Sequence, residues 1–213
     1  MGITDRRNFV ALAAVILSGV ALTPAPIALA QDDSLLSRDS VLRDPDIPAL
    51  GNPKGDISIV EYFDYQCPFC RKVAPELMGV VRDDGKVRFV LKDWPILGGV
   101  SVYAAKLVLA AKYQDKYEAA HFALVSSTVK LSEASVNDLL QKAGVDVERA
   151  KNDVEANKAS LEALLARNDG QAKAFGFRGT PGFIIGTFRV PGILKASEFK
   201  QAIADARKIA QSK

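Results

Sequence analysis

The only two cysteines of this 213-residue chain, Cys67 and Cys70, lie three positions apart with Pro68 and Phe69 between them. A Cys-x-x-Cys pair can form and break a disulfide, because a thiolate attacks a disulfide sulfur. The residues before the pair are typical of a strand, and those after it have the spacing of a helix. Cys67 is therefore expected at the positive end of a helix dipole, which lowers the pKa of a thiol below its free value of about 8.5.

This placement predicts different roles for the two sulfurs. We expect Cys67 to be the nucleophile that forms a mixed disulfide with a client. We expect Cys70, one turn inside the helix, to be the resolving thiol. A low pKa also makes Cys67 a better leaving group and stabilises the reduced protein, which favours donating disulfides to clients.

Three other uses of the pair stay open from the residues alone. An inert structural disulfide is disfavoured, because closing so short a loop removes little unfolded-chain entropy. A structural zinc site needs about four ligands, and beyond the pair only His121 offers a further soft or imidazole donor. Two thiolates could also bind Cu(I), so a copper- or peptide-binding module is a second class of function. We predict redox chemistry, with no metal and no cofactor.

The elements around the pair indicate an α/β protein. β-branched and aromatic residues from 57 to 63 predict a buried strand, and apolar residues at helical spacing predict a helix from 68 to 81. Residues 87–91 predict a second buried strand. Strand, helix and strand in this order predict a right-handed parallel unit.

The remainder of the chain separates into helices and a hairpin. Residues 100–176 have almost no strand signal and are predicted to be consecutive helices. A turn at residues 179–182 precedes a predicted β-hairpin over residues 183–190. A last helix is predicted over residues 195–211.

The N-terminus is predicted to be a signal peptide. Arg6 and Arg7 precede an uncharged stretch that ends in Ala-Leu-Ala at Ala30, which is typical of a secretory signal over residues 1–30. We expect cleavage after Ala30 and export to the periplasm, by the Sec or the twin-arginine route. An uncleaved membrane anchor is the alternative.

Residues 31–55 are polar and rich in proline and glycine, and are predicted to form an N-terminal arm with a short helical turn near residues 34–42. The formal net charge of the chain is only +3, which gives no sign of nucleic-acid binding. Export into an oxidising compartment fits a working disulfide.

Two motifs, Val-Glu-Tyr-Phe-Asp-Tyr-Gln-Cys-Pro-Phe-Cys at residues 60–70 and Gly-Thr-Pro-Gly-Phe-Ile-Ile-Gly at residues 179–186, carry a family resemblance. The sequence resembles the DsbA-like branch of the thioredoxin superfamily from about Asp44 to Arg207. The resemblance implies a thioredoxin fold, with a helical insertion over residues 98–176. This insertion separates a βαβ half, residues 56–97, from a cis-proline ββα half, residues 177–213.

The same resemblance implies roles for residues far from the cysteines. Pro181 is expected to be a cis-proline packed against them, and Thr180 to offer backbone groups that hold the client peptide. Glu61 matches the buried acidic residue that family members carry beneath the active site. Strand alternation then suggests Lys92 or Arg88 as its partner. The alternative is a Glu61 exposed at a strand edge.

One position departs from the family prototype, which has His where this chain has Phe69. An apolar ring donates no hydrogen bond to a thiolate, so Cys67 should be less stabilised and the protein less oxidising. His121 is expected to pack or cap locally, and Asp64 and Trp94 to be structural.

The resemblance implies an oxidase that introduces disulfides into exported client proteins with cysteines and is recycled by a DsbB-like, quinone-linked membrane partner. The alternative is a disulfide isomerase or reductase kept reduced by a membrane electron donor. Isomerase-type relatives, such as ScsC-like proteins, oligomerise through an N-terminal arm. Residues 31–55 are long enough to raise the question of an oligomer here.

Overall fold

The structure, a computed structural model, describes residues 35–212. Its α-helices are α1 Arg38–Leu42, α2 Pro68–Asp84, α3 Gly99–Ala110, α4 Tyr117–Val125, α5 Glu133–Lys142, α6 Val147–Ala156, α7 Lys158–Ala174 and α8 Ala196–Gln211, with a 3-10 helix at Ala111–Gln114. Its strands are β1 Ala49–Gly51, β2 Ile57–Phe63, β3 Val87–Asp93, β4 Gly182–Ile185 and β5 Phe188–Pro191. The predicted signal peptide, residues 1–30, and the start of the predicted arm lie outside the described residues.

The five strands form one mixed sheet in the order β1-β3-β2-β4-β5. β2 and β3 are parallel, and every other neighbouring pair is antiparallel. All seven residues of β2 are buried, which explains why its sequence is a nearly continuous apolar run rather than an alternating one. The thioredoxin fold expected from the sequence is therefore present.

The helix that follows β2 has clear sequence signals at both ends. Pro68 occupies its first turn, where a missing N–H costs no intrahelical bond. Gly85 ends it in the left-handed conformation, with φ of 69°, which glycine adopts without a Cβ clash. Its buried face includes Val73 and Leu77, as the helical spacing predicted.

The sheet carries helices on both faces. On one face, Tyr62 Oη donates to Gln171 Oε1 of α7 at 3.0 Å. On the other face, the Phe183 ring meets the Phe199 ring of α8 edge to face, with centroids 5.1 Å apart. The five helices α3 to α7 lie between β3 and β4 in the chain. Within residues 35–212, no helix combines the length and apolar character that a membrane span requires.

The predicted arm differs from the observed structure beyond residue 35. The short helical turn is present as α1, but residues 49–51 are not an extended arm, since they form β1, the edge strand paired with β3. The physical reason is that β2 pairs with only one side of β3, and β1 satisfies the backbone groups on its other side. A side chain of this segment, Asp44, is also buried, 2.7 Å from Lys92 Nζ. The predicted boundary of the domain at residue 56 stays a prediction.

Candidate active site

The loop between β2 and α2 places Cys67 at the N-terminus of the helix. Cys67 is the N-cap residue, with φ of −71° and ψ of 117°. The buried carboxylate of Asp64 holds this loop, because it accepts hydrogen bonds from Gln66 N at 2.8 Å, Leu97 N at 2.9 Å and Ser101 Oγ at 2.7 Å. Asp64 is thus structural, as expected.

The two sulfurs lie in different environments. Only 4% of Cys67 is exposed, and Cys70 is fully buried. A hydrogen bond from the Cys70 side chain, helped by bonds from the Thr180 side chain and the backbone of Phe69 and Cys70, lowers the pKa of Cys67 to about 6 against the opposing effect of burial. Burial raises the pKa of Cys70 above its ordinary range, assisted by the hydrogen bond to Cys67 and the charge of Glu61. At neutral pH the proton therefore stays on Cys70 while Cys67 is a thiolate.

A distant loop completes the site. The Thr180–Pro181 peptide bond is cis, as the resemblance implied. Cys67 Sγ lies 3.2 Å from the carbonyl oxygen of Thr180, to which it donates a hydrogen bond when it is protonated, so residues 113 positions apart in sequence meet at the nucleophile. Gly192 N donates to Pro181 O at 3.0 Å, which fastens the loop to the end of β5. The role of Thr180 in client binding stays a prediction.

Glu61 lies beneath the cysteines, buried in the central strand, as predicted. Burial, followed by the negative charge of Cys67, raises its pKa to about 8. The alternative of an exposed Glu61 is wrong, because only 3% of the residue is accessible. Glu61 is therefore a neutral acid at neutral pH, close enough to both thiols for their charges to interact.

The predicted pairing of Lys92 with Glu61 is wrong. In the parallel register Glu61 lies beside Leu91, and Tyr62 lies beside Lys92. Residues side by side in a sheet point to the same face, so Lys92 and Glu61 point to opposite faces. Lys92 donates instead to Asp44 Oδ2 at 2.7 Å.

Arg88, the second predicted partner of Glu61, also points to the face of the sheet opposite Glu61. It lies beside Ser58. Its guanidinium donates to the carbonyl oxygens of Leu42 and Pro53, at 3.3 Å and 2.8 Å.

His121 and Trp94 have the local, structural roles expected of them, and the effect predicted for Phe69 stays a prediction. His121 is buried, with Nδ1 3.1 Å from Tyr65 Oη, and burial lowers the pKa of its ring to about 3. It packs rather than reacts. Trp94 Nε1 donates to Asp169 Oδ1 at 2.9 Å, a structural contact. Phe69 is 55% exposed beside the nucleophile.

Sequence reasoning missed Asp93, the last residue of β3. Among the described residues neither of its buried carboxylate oxygens has a hydrogen-bond partner, and burial raises its pKa well above the ordinary value. A polar residue at the end of an apolar strand was the only available signal, and it is equally typical of an exposed strand end.

Known proteins support this interpretation of the fold and the site. A family model described as thioredoxin matches residues 44–205. A thioredoxin-like oxidoreductase from Silicibacter pomeroyi DSS-3 is 42% identical, with a TM-score of 0.78 over 81% of this chain and 98% of that one. The thiol-disulfide exchange protein alpha-DsbA2 from Wolbachia pipientis is 26% identical, with a TM-score of 0.74 over 81% of this chain and 94% of that one.

The curated relatives match over part of their length. A putative protein-disulfide oxidoreductase from Rickettsia felis is 28% identical over 145 residues, 64% of this chain and 51% of that protein. The chain spans only 25% of the Na⁺/H⁺ antiporters NhaA of two Salinispora species, to which it is 24% and 25% identical. With its matching family model, thioredoxin fold and Cys-x-x-Cys site, the chain belongs to the thioredoxin family, and its structural neighbours include DsbA-like thiol-disulfide exchange proteins.

The Cys70 side chain is the main cause of the low pKa of Cys67, which can be tested by substitution. In Cys70→Ala, the pKa of Cys67, measured from the pH dependence of its alkylation rate, should rise from about 6 toward the ordinary value of 9. Cys70→Ser is the matched control, because its hydroxyl still donates and should keep the pKa close to 6. Equal pKa values in the two variants would contradict this cause.

The buried Glu61 predicts a pH dependence of stability. Its pKa is raised from 4.5 in the unfolded chain to about 8 in the fold, so its stabilising contribution is complete below pH 4.5 and is lost as the pH rises through 8. The loss is about 3 to 5 kcal/mol. Urea unfolding of the reduced protein should therefore show Glu61→Gln gaining stability relative to the parent between these limits. A difference in unfolding free energy that does not change with pH would contradict the buried, neutral Glu61.

Proposed function

We propose that this protein is a thiol–disulfide oxidoreductase that introduces disulfides into exported proteins. The observation that carries the proposal is the asymmetry of the pair, in which Cys67 has a pKa of about 6 at a helix N-terminus and Cys70 is buried and protonated. A metal or peptide binder has no need for one activated and one protonated sulfur.

The proposed reaction has two exchanges. A client thiolate attacks Sγ of Cys67 in the oxidised pair, the Cys67–Cys70 bond breaks, and Cys70 takes up a proton as it leaves. The second client thiolate then attacks the client sulfur of the mixed disulfide, and Cys67 leaves as a thiolate. The client loses two electrons and gains a disulfide, and the protein becomes the dithiol. Of the two client thiol protons, one resides on Cys70 and the other passes to the solvent.

The direction follows from which sulfur leaves. A thiol of low pKa is the better leaving group, so Cys67 is released readily and the reduced protein is stabilised. Phe69 moderates this preference, because its ring donates no hydrogen bond to the thiolate. We therefore propose an oxidase that is weaker than one with a hydrogen-bond donor at this position.

Glu61 and Thr180 have supporting roles in this proposal. With a pKa of about 8, Glu61 holds a proton at neutral pH and exchanges it with Cys70, which the buried thiol requires in order to react. The contact of the Thr180 carbonyl with Cys67 Sγ supports a role for the Thr180 backbone in holding the strand of a client beside the nucleophile.

Export and recycling complete the proposal. Residues 1–30 serve as a cleaved signal peptide for the periplasm, by the Sec or the twin-arginine route. A quinone-linked, DsbB-like membrane protein reoxidises the pair. The isomerase alternative has less support, since residues 49–51, within the arm that an ScsC-like oligomer would use, pair with β3 of the protein's own sheet.

The reduction potential of the Cys67–Cys70 pair, measured in glutathione buffers, tests the proposed direction. A potential above the poise of about −180 to −210 mV of an oxidising secretory compartment is expected. In the same preparation the oxidised protein should convert a reduced client to its disulfide form, and Cys67→Ser should not.

Two results would contradict parts of this proposal. A potential below that poise, with rescue of a scrambled client, would assign the protein to the isomerases or reductases. Failure to form the intramolecular disulfide at any poise would contradict oxidoreductase function altogether and favour a copper or peptide binder.

A further inference from the structure

The surface around Cys67 is apolar to an unusual degree for this chain. Of the seven large apolar side chains that are exposed among the described residues, five lie on segments that border the cysteine or the Thr180–Pro181 loop: Phe69, Ile96, Leu97, Val129 and Ile193. Exposed apolar side chains that cluster in this way mark a binding surface.

Hydrogen bonds fix these segments to the site. Gln66 Nε2 donates to the carbonyl of Leu97 at 3.0 Å, and Arg71 Nη2 donates to the carbonyl of Val129 at 3.1 Å. Gly192, next to Ile193, donates to Pro181 at 3.0 Å. The apolar side chains therefore stand on segments held at the nucleophile.

The same segments carry charge of one sign only. Residues 65–72, 94–100, 126–132, 177–181 and 191–195 contain five basic residues and no acidic residue: Arg71, Lys72, Lys130, Arg178 and Lys195. The whole chain is nearly balanced, with 28 basic and 25 acidic residues. The positive charge at this surface is therefore local and does not follow from composition.

These cations are not neutralised by neighbours. Within residues 35–212 every ion pair closer than 4.0 Å involves other side chains. Three exposed carboxylates follow these segments in the chain, Glu76, Glu133 and Glu198, and none of them forms an ion pair within 4.0 Å with a basic side chain of the segments. The basic rim, defined as those five residues, is therefore open to a charged partner.

We propose that this surface selects client segments in which the reactive cysteine is flanked by an apolar residue and by acidic residues. This specificity rests on the proposed exchange function. An apolar neighbour of the cysteine packs on the exposed ring of Phe69 and on Leu97, and a carboxylate beyond it meets the basic rim. Opposite charges placed in this way raise the rate of encounter between a client and the site.

The redox state of the cysteine pair changes the strength of this electrostatic attraction. In the oxidised protein Cys67 is part of a disulfide and has no charge, so the rim attracts an anionic client and its thiolate at full strength. After exchange Cys67 is a thiolate, which offsets part of the positive charge. The oxidised client is then held less tightly than the reduced client was.

Matched peptides test the selection. Three single-cysteine peptides would differ only in the residues around Leu-Cys, which carry two Asp, two Ser or two Lys, and the rate at which each reduces the oxidised protein would be measured by rapid mixing. At low salt the acidic peptide should react about tenfold faster than the basic peptide. The difference should largely disappear near 1 M salt, where the screening length is about 3 Å.

Charge reversal on the protein supplies the control. Lys72→Glu together with Lys130→Glu should remove most of the preference for the acidic peptide over the basic peptide. Lys54→Glu makes the same type of change at an exposed residue before the start of β2, at the end of the strand away from Cys67, and should leave the preference intact.

The outcomes separate the two proposals. Equal rates with all three peptides would overturn the charge selection while leaving the exchange function in place. No reaction with any peptide would overturn the exchange function itself. A preference that persists near 1 M salt would show that the basic rim does not cause it.

Discussion

The central position of β2 is the constraint on which the site depends. Its end leads into the loop that carries Cys67, and its antiparallel neighbour β4 begins at the same end of the sheet, where Gly182 lies beside Tyr62. The residues just before β4, Thr180 and Pro181, must therefore lie beside the residues that follow β2. The 3.2 Å contact between Cys67 Sγ and the Thr180 carbonyl follows from this topology. A nucleophile and a strand-like backbone for its client are brought together by the pairing of two strands.

Burial then determines which groups at this end of the sheet are protonated at neutral pH. Cys70 and Glu61 lie in the interior and retain their protons at neutral pH, because desolvation disfavours their charged forms. Cys67 caps the N-terminus of α2, where hydrogen bonds outweigh the burial penalty and favour the thiolate. The pKa values of the two thiols are thus shifted in opposite directions, although the cysteines lie only three positions apart.

Much of this arrangement was predictable from the sequence, because it is local. The apolar run before Cys67 and the helical spacing after it predict the β2–α2 unit. The partner of Lys92 was not predictable in this way. Alternation along β3 gives the residues that share a face, but only the register with β2 decides which face that is, and the register places Lys92 opposite Glu61.

The N-terminal arm, residues 31–55, also could not be predicted fully from local sequence patterns. β1 has three residues, too few for a period of two to be recognised. The burial of Asp44 depends on Lys92 and on Arg167, whose Nη2 lies 2.9 Å from Asp44 Oδ1, and both partners are distant in sequence. The polar composition therefore predicts an extended arm, although one of its charges is paired inside the fold.

Trapping of the mixed disulfide tests the central claim, the division of roles between the two sulfurs, most directly. Reduced Cys70→Ala and Cys67→Ala would each be mixed with a client that contains a disulfide, and the adducts would be mapped by mass spectrometry. The account predicts that Cys70→Ala accumulates a stable adduct at Cys67, whereas Cys67→Ala forms almost none. Adducts of similar yield at Cys70 would contradict it.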